Sequence, residues 1–274
     1  MPADGASVLV GCKEGLRIVS VRTRLVTPLL TGSVWDFAIT SDSRTAYPAE
    51  GAAGLWKLDL GRPQLSAVDT LPFVMKLALT PDGKYLYVNY QGSGPGGRPG
   101  HDAIGKFDAA TGRRLSAITG LANVGYSLAV SPDGRRLWAD GADACDSRAY
   151  DHLGCPAVPA GILNVIDTAT DHLVRSLPLV GYSFPMIVKF SHDARYVVVN
   201  TGGPRFIDAA TFATITGLAN LPTSAIALRR DGRRAYVALR QGGVAILDIT
   251  RRAGSPPASS AIMQSQAPWT SKSN

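Results

Sequence analysis

Two short stretches of the 274-residue chain gather the side chains best suited to bind or transform something. The first, QGSGPGGRPGHD (91–102), closes on Arg98, His101 and Asp102. The second, GADACDSRAYDHLGCPAVPAG (141–161), carries Asp143, Asp146, Asp151 and His152. A carboxylate near an imidazole is raw material for proton transfer, and an arginine adds a fixed cation for an anionic group. Asp140, Asp143, Asp146 and Asp151 also offer the hard oxygens that Ca²⁺ takes as ligands. The D-x-D-x-D-G order of a calcium loop is absent, so a solvated acidic loop stands beside the metal reading. Beyond Ca²⁺ the chain suggests no cofactor. We take Arg98, His101, Asp102, Asp143, Asp146, Asp151 and His152 as a candidate ligand-binding set and assign none of them a catalytic role.

Other chemistry-bearing patterns dissolve on inspection. Gly92, Gly94 and Gly97 spell G-x-G-x-x-G after the run YLYVNY, but Arg98-Pro99-Gly100 follows where a dinucleotide site needs a helix to begin. No G-x-S-x-G elbow occurs, and His172 and His192 fall at turns. The three cysteines show no zinc-ligand spacing. Cys145 and Cys155 bracket one stretch and are expected to staple it, a bridge worth roughly 2.5–3 kcal/mol by loop entropy; two free thiols are the alternative. A lasting disulfide implies an oxidising compartment, so the expected location is extracellular or periplasmic, in a bacterium. LVGC (9–12) matches a lipobox in letters, yet MPADGAS before it holds an acid and no base. The apolar run is also too short for a signal peptide, and Cys12 is expected in a strand.

The elements that must position these stretches are hairpins. LALTPDGKYLYVNY (77–90) and LAVSPDGRRLWAD (128–140) each read as alternating strand, Pro-Asp-Gly turn, alternating strand. Pro presets φ, Asp bonds turn amides, and Gly takes the left-handed conformation. Weaker copies follow at 37–47, 188–200 and 226–239, with turn aspartates Asp42, Asp82, Asp133, Asp193 and Asp231. A second echo ends in Asp59, Asp108, Asp167, Asp208 and Asp248, whose carboxylates are expected to cap turn amides. Self-similarity near 40–45 residues with four short strands per unit is the signature of a β-propeller, whose sheets bury their faces only against neighbouring sheets.

On SPDGRRLWAD, TPDGKYLYVNY and the IDTAT-like segments, the chain resembles the YVTN-type propeller repeat family, relatives of the WD-type repeats, over residues 34–250. The resemblance implies an all-β propeller and leaves function open, because such propellers serve unrelated roles. Related-looking lactonase propellers keep a metal-binding acid and Asn residues at the centre. Here the first strands of the modules begin at Asp36, Lys76, Ser127, Ile187 and Ala225, too mixed for that cage.

Six modules are expected, at about 7–33, 34–71, 72–120, 121–181, 182–218 and 219–250, followed by a Pro/Ser-rich tail at 251–274 in which SSAIMQS is a candidate outer strand. The first lacks its inner strand, as though the chain began within a blade. The whole reads as an imperfectly closed ring or a fragment of a seven-bladed one. With strands A to D in each module, strand parity sends the two insertions out of B–C connections at one face. Leu77, Leu79, Leu128, Val130, Val188 and Phe190 are expected to be buried, and no helix longer than two turns is expected from 34 to 250.

No apolar run is long enough to span a bilayer. The formal charge is +7, and many cations follow the A–B turns, notably Lys84, Arg135, Arg136 and the cluster Arg229, Arg230, Arg233 and Arg234. The face opposite the insertions is therefore expected to be basic and to suit an anionic surface. Absence of interleaved aromatics argues against sequence-specific nucleic-acid binding. The function expected is a non-catalytic binding or scaffold propeller, with a protein or small-molecule partner at the insertion-bearing face. A lactonase-like or quinoprotein-dehydrogenase-like enzyme using the same face is the alternative.

Overall fold

The computed structural model describes residues 5–50, 54–62, 64–71, 73–90, 103–121, 124–142, 161–179, 187–200, 203–217, 221, 223–249 and 262–263. Among them there is no helix, and every regular element is a strand in one of six antiparallel sheets. Sheet 1 has three strands, β1 (Ser7–Cys12), β2 (Gly15–Ser20) and β3 (Val26–Thr31). Sheet 2 holds β4 (Asp36–Ile39), β5 (Thr45–Ala49), β6 (Leu55–Asp59) and β7 (Gln64–Asp69). Sheet 3 holds β8 (Val74–Leu79), β9 (Tyr85–Tyr90), β10 (Ala103–Asp108) and β11 (Arg114–Ile118). Sheet 4 holds β12 (Val124–Val130), β13 (Arg136–Ala142), β14 (Gly161–Asp167) and β15 (Leu173–Leu179). These four lie in one compact unit, Met1–Pro185. A second unit, Met186–Asn274, holds sheet 5 and sheet 6. Sheet 5 is β16 (Val188–Phe190), β17 (Tyr196–Asn200), β18 (Pro204–Asp208) and β19 (Thr214–Gly217). Sheet 6 is β20 (Thr223–Leu228), β21 (Arg234–Leu239), β22 (Val244–Asp248) and β23 (Ile262–Met263).

The first sheet begins with the B-type strand, as its sequence predicts, and SSAIMQS contributes β23 as the outer strand of sheet 6. Each sheet is an up-and-down meander, so short local turns set its register. The A–B turn of sheet 3 closes with Gly83 N donating to Thr80 O (2.9 Å) and Gly83 at φ +70°. Ser43 and Ala194 occupy the same position at φ +58° in sheets 2 and 5, a conformation costing an L-residue about 1 kcal/mol.

Alternation gives the sheets apolar faces, and within each unit consecutive sheets stack through them. In sheet 3, Leu86 and Val88 pack toward sheet 2 with Tyr47 and Leu55. Tyr87 and Ile104, one residue out of phase, pack toward sheet 4 with Leu128, Leu137 and Ile166. Leu9 and Leu16 of sheet 1 meet Ala46 and Leu58 of sheet 2. In the second unit Val198 and Phe206 of sheet 5 meet Ala235 and Val237 of sheet 6. Leu77, Leu128 and Val188 are buried as expected, but Leu79, Val130 and Phe190 are only half-buried. They sit near the turn end of an A strand, a strand with a partner on one side only, whereas the B strands are flanked on both sides and form the driest layer.

Candidate functional site

The two insertions leave from paired strand ends. Tyr90 sits opposite Ala103 across β9 and β10, and Ala142 sits opposite Gly161 across β13 and β14. Both therefore emerge at the same end of neighbouring sheets, as strand parity requires. Arg98, His101, Asp102, Asp143, Asp146, Asp151 and His152 lie outside the described residues, and so do Cys145, Cys155 and Gly92, Gly94 and Gly97. What the structure describes is the platform beneath them.

Two carboxylates of that platform, Asp140 and Asp36, are spent on backbone. Asp140, fully buried in β13, accepts the Ser127 amide at 2.6 Å, beside an irregularity in β12. It thus acts as a strut of sheet 4; Asp143, Asp146 and Asp151, the other members of the row read as calcium-binding oxygens, lie outside the described residues. Asp36 at the start of β4 accepts the Leu77 amide on β8 at 3.0 Å, with the Lys76 ammonium 3.9 Å away. Burial pushes the Asp36 carboxyl up from its ordinary range, against the opposing pull of Lys76 and the amide. No group of three or more His, Cys, Asp or Glu among the described residues could hold a metal ion.

The same end exposes two large aromatics. Trp35, immediately before β4, is 51% exposed, and Phe73, immediately before β8, is 48% exposed and adopts φ +47°. Trp35 holds its indole N–H against Ser33 Oγ at 3.1 Å and its own amide against Ala49 O at 3.0 Å, so the ring projects from a fixed backbone. Phe73 adjoins Val74, which pairs with Tyr90 at the root of the first insertion. Sequence reading passed over both, because an aromatic next to an apolar strand reads as core.

The opposite end is built from turns. In sheets 2 to 5 the residue two before the turn aspartate is Thr40, Thr80, Ser131 or Ser191, and its hydroxyl donates to that aspartate at 2.5–2.6 Å. The hydroxyl oxygen also accepts the amide across the turn, and the aspartate accepts a second one. Asp108, Asp167 and Asp208 likewise cap two amides and a Thr hydroxyl each. These bonds hold their carboxyls below the usual range. The C–D aspartates do what their sequence context predicts; the hydroxyl partner of the A–B aspartate was readable as a Ser/Thr two positions upstream and went unused.

A cleft of about 640 Å³ opens at this end between sheets 3 and 4, lined by Tyr85, Lys106, Asp133, Arg135, Arg136 and Asp167 among others. Several of its polar groups are already engaged. Lys106, buried, donates to Asp171 (2.9 Å) and to Thr168 O (2.8 Å) and lies over the Tyr85 ring at 4.7 Å. Arg136 pairs with Asp167. Tyr87 donates to Thr168 O, and Tyr47 repeats that contact one sheet earlier onto Ala109 O; burial, then Asp108, pushes the Tyr47 phenol up to about 12. These bonds clasp sheet 2 to sheet 3 and sheet 3 to sheet 4. On this basis the cleft is a structural seam.

No family model and no curated protein matches the chain. Solved structures do. A chain of Kuenenia stuttgartiensis hydrazine synthase superposes with a TM-score of 0.75 at 19% identity, over 91% of this chain and 75% of that one. A chain of a mitotic checkpoint complex gives 0.68 at 12% identity, over 88% of this chain and 70% of the other. At such identities the likeness carries architecture alone, and with the meandering sheets it establishes that the chain has a β-propeller fold.

Proposed function

We propose that this is a binding propeller of the YVTN-type repeat class that takes a protein partner on the insertion-bearing end and performs no chemistry there. One observation carries the reading: Trp35 and Phe73 stand exposed on adjacent sheets at the end from which both insertions leave. Fixed aromatics surrounded by polar loops are the usual anchors of protein recognition. Two of the described carboxylates at that end, Asp36 and Asp140, are occupied with amides, which favours recognition over proton transfer at those two positions. A mitotic checkpoint complex shows one setting in which this fold occurs within an assembly. In this reading Arg98, His101, Asp102, Asp143, Asp146, Asp151 and His152 of the two insertions would add polar contacts to the partner. A Cys145–Cys155 staple would stiffen the second insertion in an extracellular or periplasmic setting.

The test is photo-crosslinking from positions 35 and 73 in the native host, with partners identified by mass spectrometry. Trp35→Ala and Phe73→Gly should each weaken capture of the same partner at least tenfold while thermal unfolding shifts little. Undiminished capture by both variants would refute the surface. Turnover of lactone or alcohol substrates, lost in His101→Ala or Asp102→Asn, would replace it with the enzyme alternative.

A further inference from the structure

The A–B turns of sheets 2 to 5 are alike in charge. Two positions after each turn aspartate stands one cation, Arg44, Lys84, Arg135 or Arg195, so aspartate and cation cancel. Arg136, the additional cation of sheet 4, pairs with Asp167. The turn of sheet 6 breaks this rule. Its six residues, Arg229-Arg230-Asp231-Gly232-Arg233-Arg234, hold four arginines against one aspartate. Asp231 is matched by Arg229 at 3.2 Å, and Arg234 lies across from Asp248 as Arg136 lies across from Asp167. Arg230 and Arg233 have no ion pair among the described residues.

Their exposure belongs to the turn itself. Sheets 2 and 3 are each packed on both sides within one unit. Even there Ser41 and Pro81, at the position of Arg230, and Arg44 and Lys84, at the position of Arg233, are exposed. Arg230 and Arg233 are exposed likewise. The aspartate of the neighbouring turn, Asp193, lies beside Gly232 and already accepts the Ser191 hydroxyl and the Arg195 amide.

The arrangement works against the hairpin. Arg229 displaces the hydroxyl that locks the turn in sheets 2 to 5, and like charges so close together repel one another. The other hairpins manage with one cation each, so hydration of the turn does not require four. Local rules broken at a cost in stability mark functional positions.

We propose that the sheet 6 turn is a docking point for a sulfated polysaccharide chain. The planar fork of a guanidinium bonds two oxygens of an oxyanion at once. Arg229 and Arg234 form one rung, with Arg229 N donating to Arg234 O at 2.8 Å, and Arg230 and Arg233 flank the tip beyond it. Successive sulfates of one chain therefore meet successive pairs of arginines. Residues 229–234 include no aromatic side chain on which a base could stack and no apolar one that could enter a bilayer. The turns of sheets 2 to 5 are balanced, so the surplus charge is a point rather than a plane, which fits a flexible chain better than a membrane.

Isothermal titration of the full chain with heparin across a salt series tests this. Wild type should bind, and log affinity should fall linearly with log salt. Arg230→Gln combined with Arg233→Gln should weaken binding about tenfold or more and flatten the salt slope by about 1.5, as two lost ion pairs require. Neither side chain enters a hydrogen bond or ion pair among the described residues, so thermal unfolding should shift little. Arg44→Gln combined with Arg135→Gln removes the same charge from two balanced turns and should change affinity less than about twofold. No heparin binding at low salt, or equal losses in the two double variants, would overturn the proposal. A single-stranded oligonucleotide of equal charge, or phosphatidylglycerol vesicles, binding as tightly as heparin would overturn the assignment to a polysaccharide.

Discussion

The A–B hairpins of sheets 3 and 6 share a register and differ in what holds them. In sheet 3 the turn Thr80-Pro81-Asp82-Gly83 has a hydroxyl locked between the aspartate and the Tyr85 amide, and the hairpin continues into a fully buried Tyr87. In sheet 6 Arg229 replaces the threonine, so no hydroxyl lock exists; Asp231 instead accepts the Arg233 amide and pairs with Arg229 at 3.2 Å. The same backbone turn forms, with Gly232 N donating to Arg229 O at 2.9 Å. Turn geometry thus needs only the aspartate and a left-handed residue after it, glycine here and Ser43 or Ala194 in sheets 2 and 5, while the hydroxyl and the neighbouring sheet supply additional stability. Sheet 6 trades the hydroxyl for a cluster of guanidinium groups.

The sharpest way to break the comparison is to remove the equivalent tyrosines. Tyr87→Ala should cost about 3–5 kcal/mol in denaturant unfolding, by analogy with other buried aromatics, and Tyr236→Ala should cost less than about 1 kcal/mol. Equal losses would show that sheet 6 is covered in solution. The lock comes next. Ser131→Ala removes a buried hydroxyl that bonds Asp133 and the Arg136 amide, a loss of about 1–2 kcal/mol, whereas Arg229→Ser should raise stability slightly by restoring the lock.

Acid sharpens the same contrast. Asp82, Asp133 and Asp193 titrate below the ordinary carboxylate value in the folded state, chiefly through Thr80 for Asp82 and, against the opposing effect of burial, through Ser131 and Ser191 for the others. Their contribution is complete above the unfolded pKa near 4 and is lost as pH falls through the lowered folded values. Asp36 has the opposite sign: its raised carboxyl favours the folded state most when protonated, and that contribution fades as pH climbs past 4. Melting temperature measured from pH 7 to pH 2.5 should fall below pH 4, and Ser131→Ala should flatten the fall. A smaller gain, about 0.5–1 kcal/mol, is expected from Ala194→Gly, which relieves the left-handed φ. The mildest effect concerns charge: Lys84 and Arg136 are countered by Asp82 and Asp167, so the turn end is less basic than its cation count suggests. Replacing Arg229, Arg230, Arg233 and Arg234 with Ser should lower the salt needed for heparin elution; an unchanged elution point would remove the sheet 6 cluster as an anion-binding surface.

Much of the fold was legible because a hairpin is local: Pro-Asp-Gly between alternating runs specifies a turn and a register wherever it lands. The repeated C–D aspartates were legible for the same reason. Burial was less so, since alternation marks two apolar faces without saying how far a neighbouring sheet reaches along them. Leu79, Val130 and Phe190 look like Leu77, Leu128 and Val188 in sequence, and they differ only in lying nearer the turn end of their strand. The candidate site was half legible. The insertions could be counted and sent to one end, but Trp35 and Phe73 owe their exposure to the connections before β4 and β8, where no periodicity applies.

Lys106 carries a consequence for how the molecule can be watched. Its ammonium is held at the cleft between sheets 3 and 4 by Asp171, the Thr168 carbonyl and the rings of Tyr85 and Tyr87, and its side chain is only 10% exposed. An amine-reactive reagent reaches it only while that seam is parted, so its labelling rate reports the local opening equilibrium, on a scale set by any fully exposed lysine. The chain thereby contains its own clock for sheet separation, readable by peptide mapping without introducing a probe.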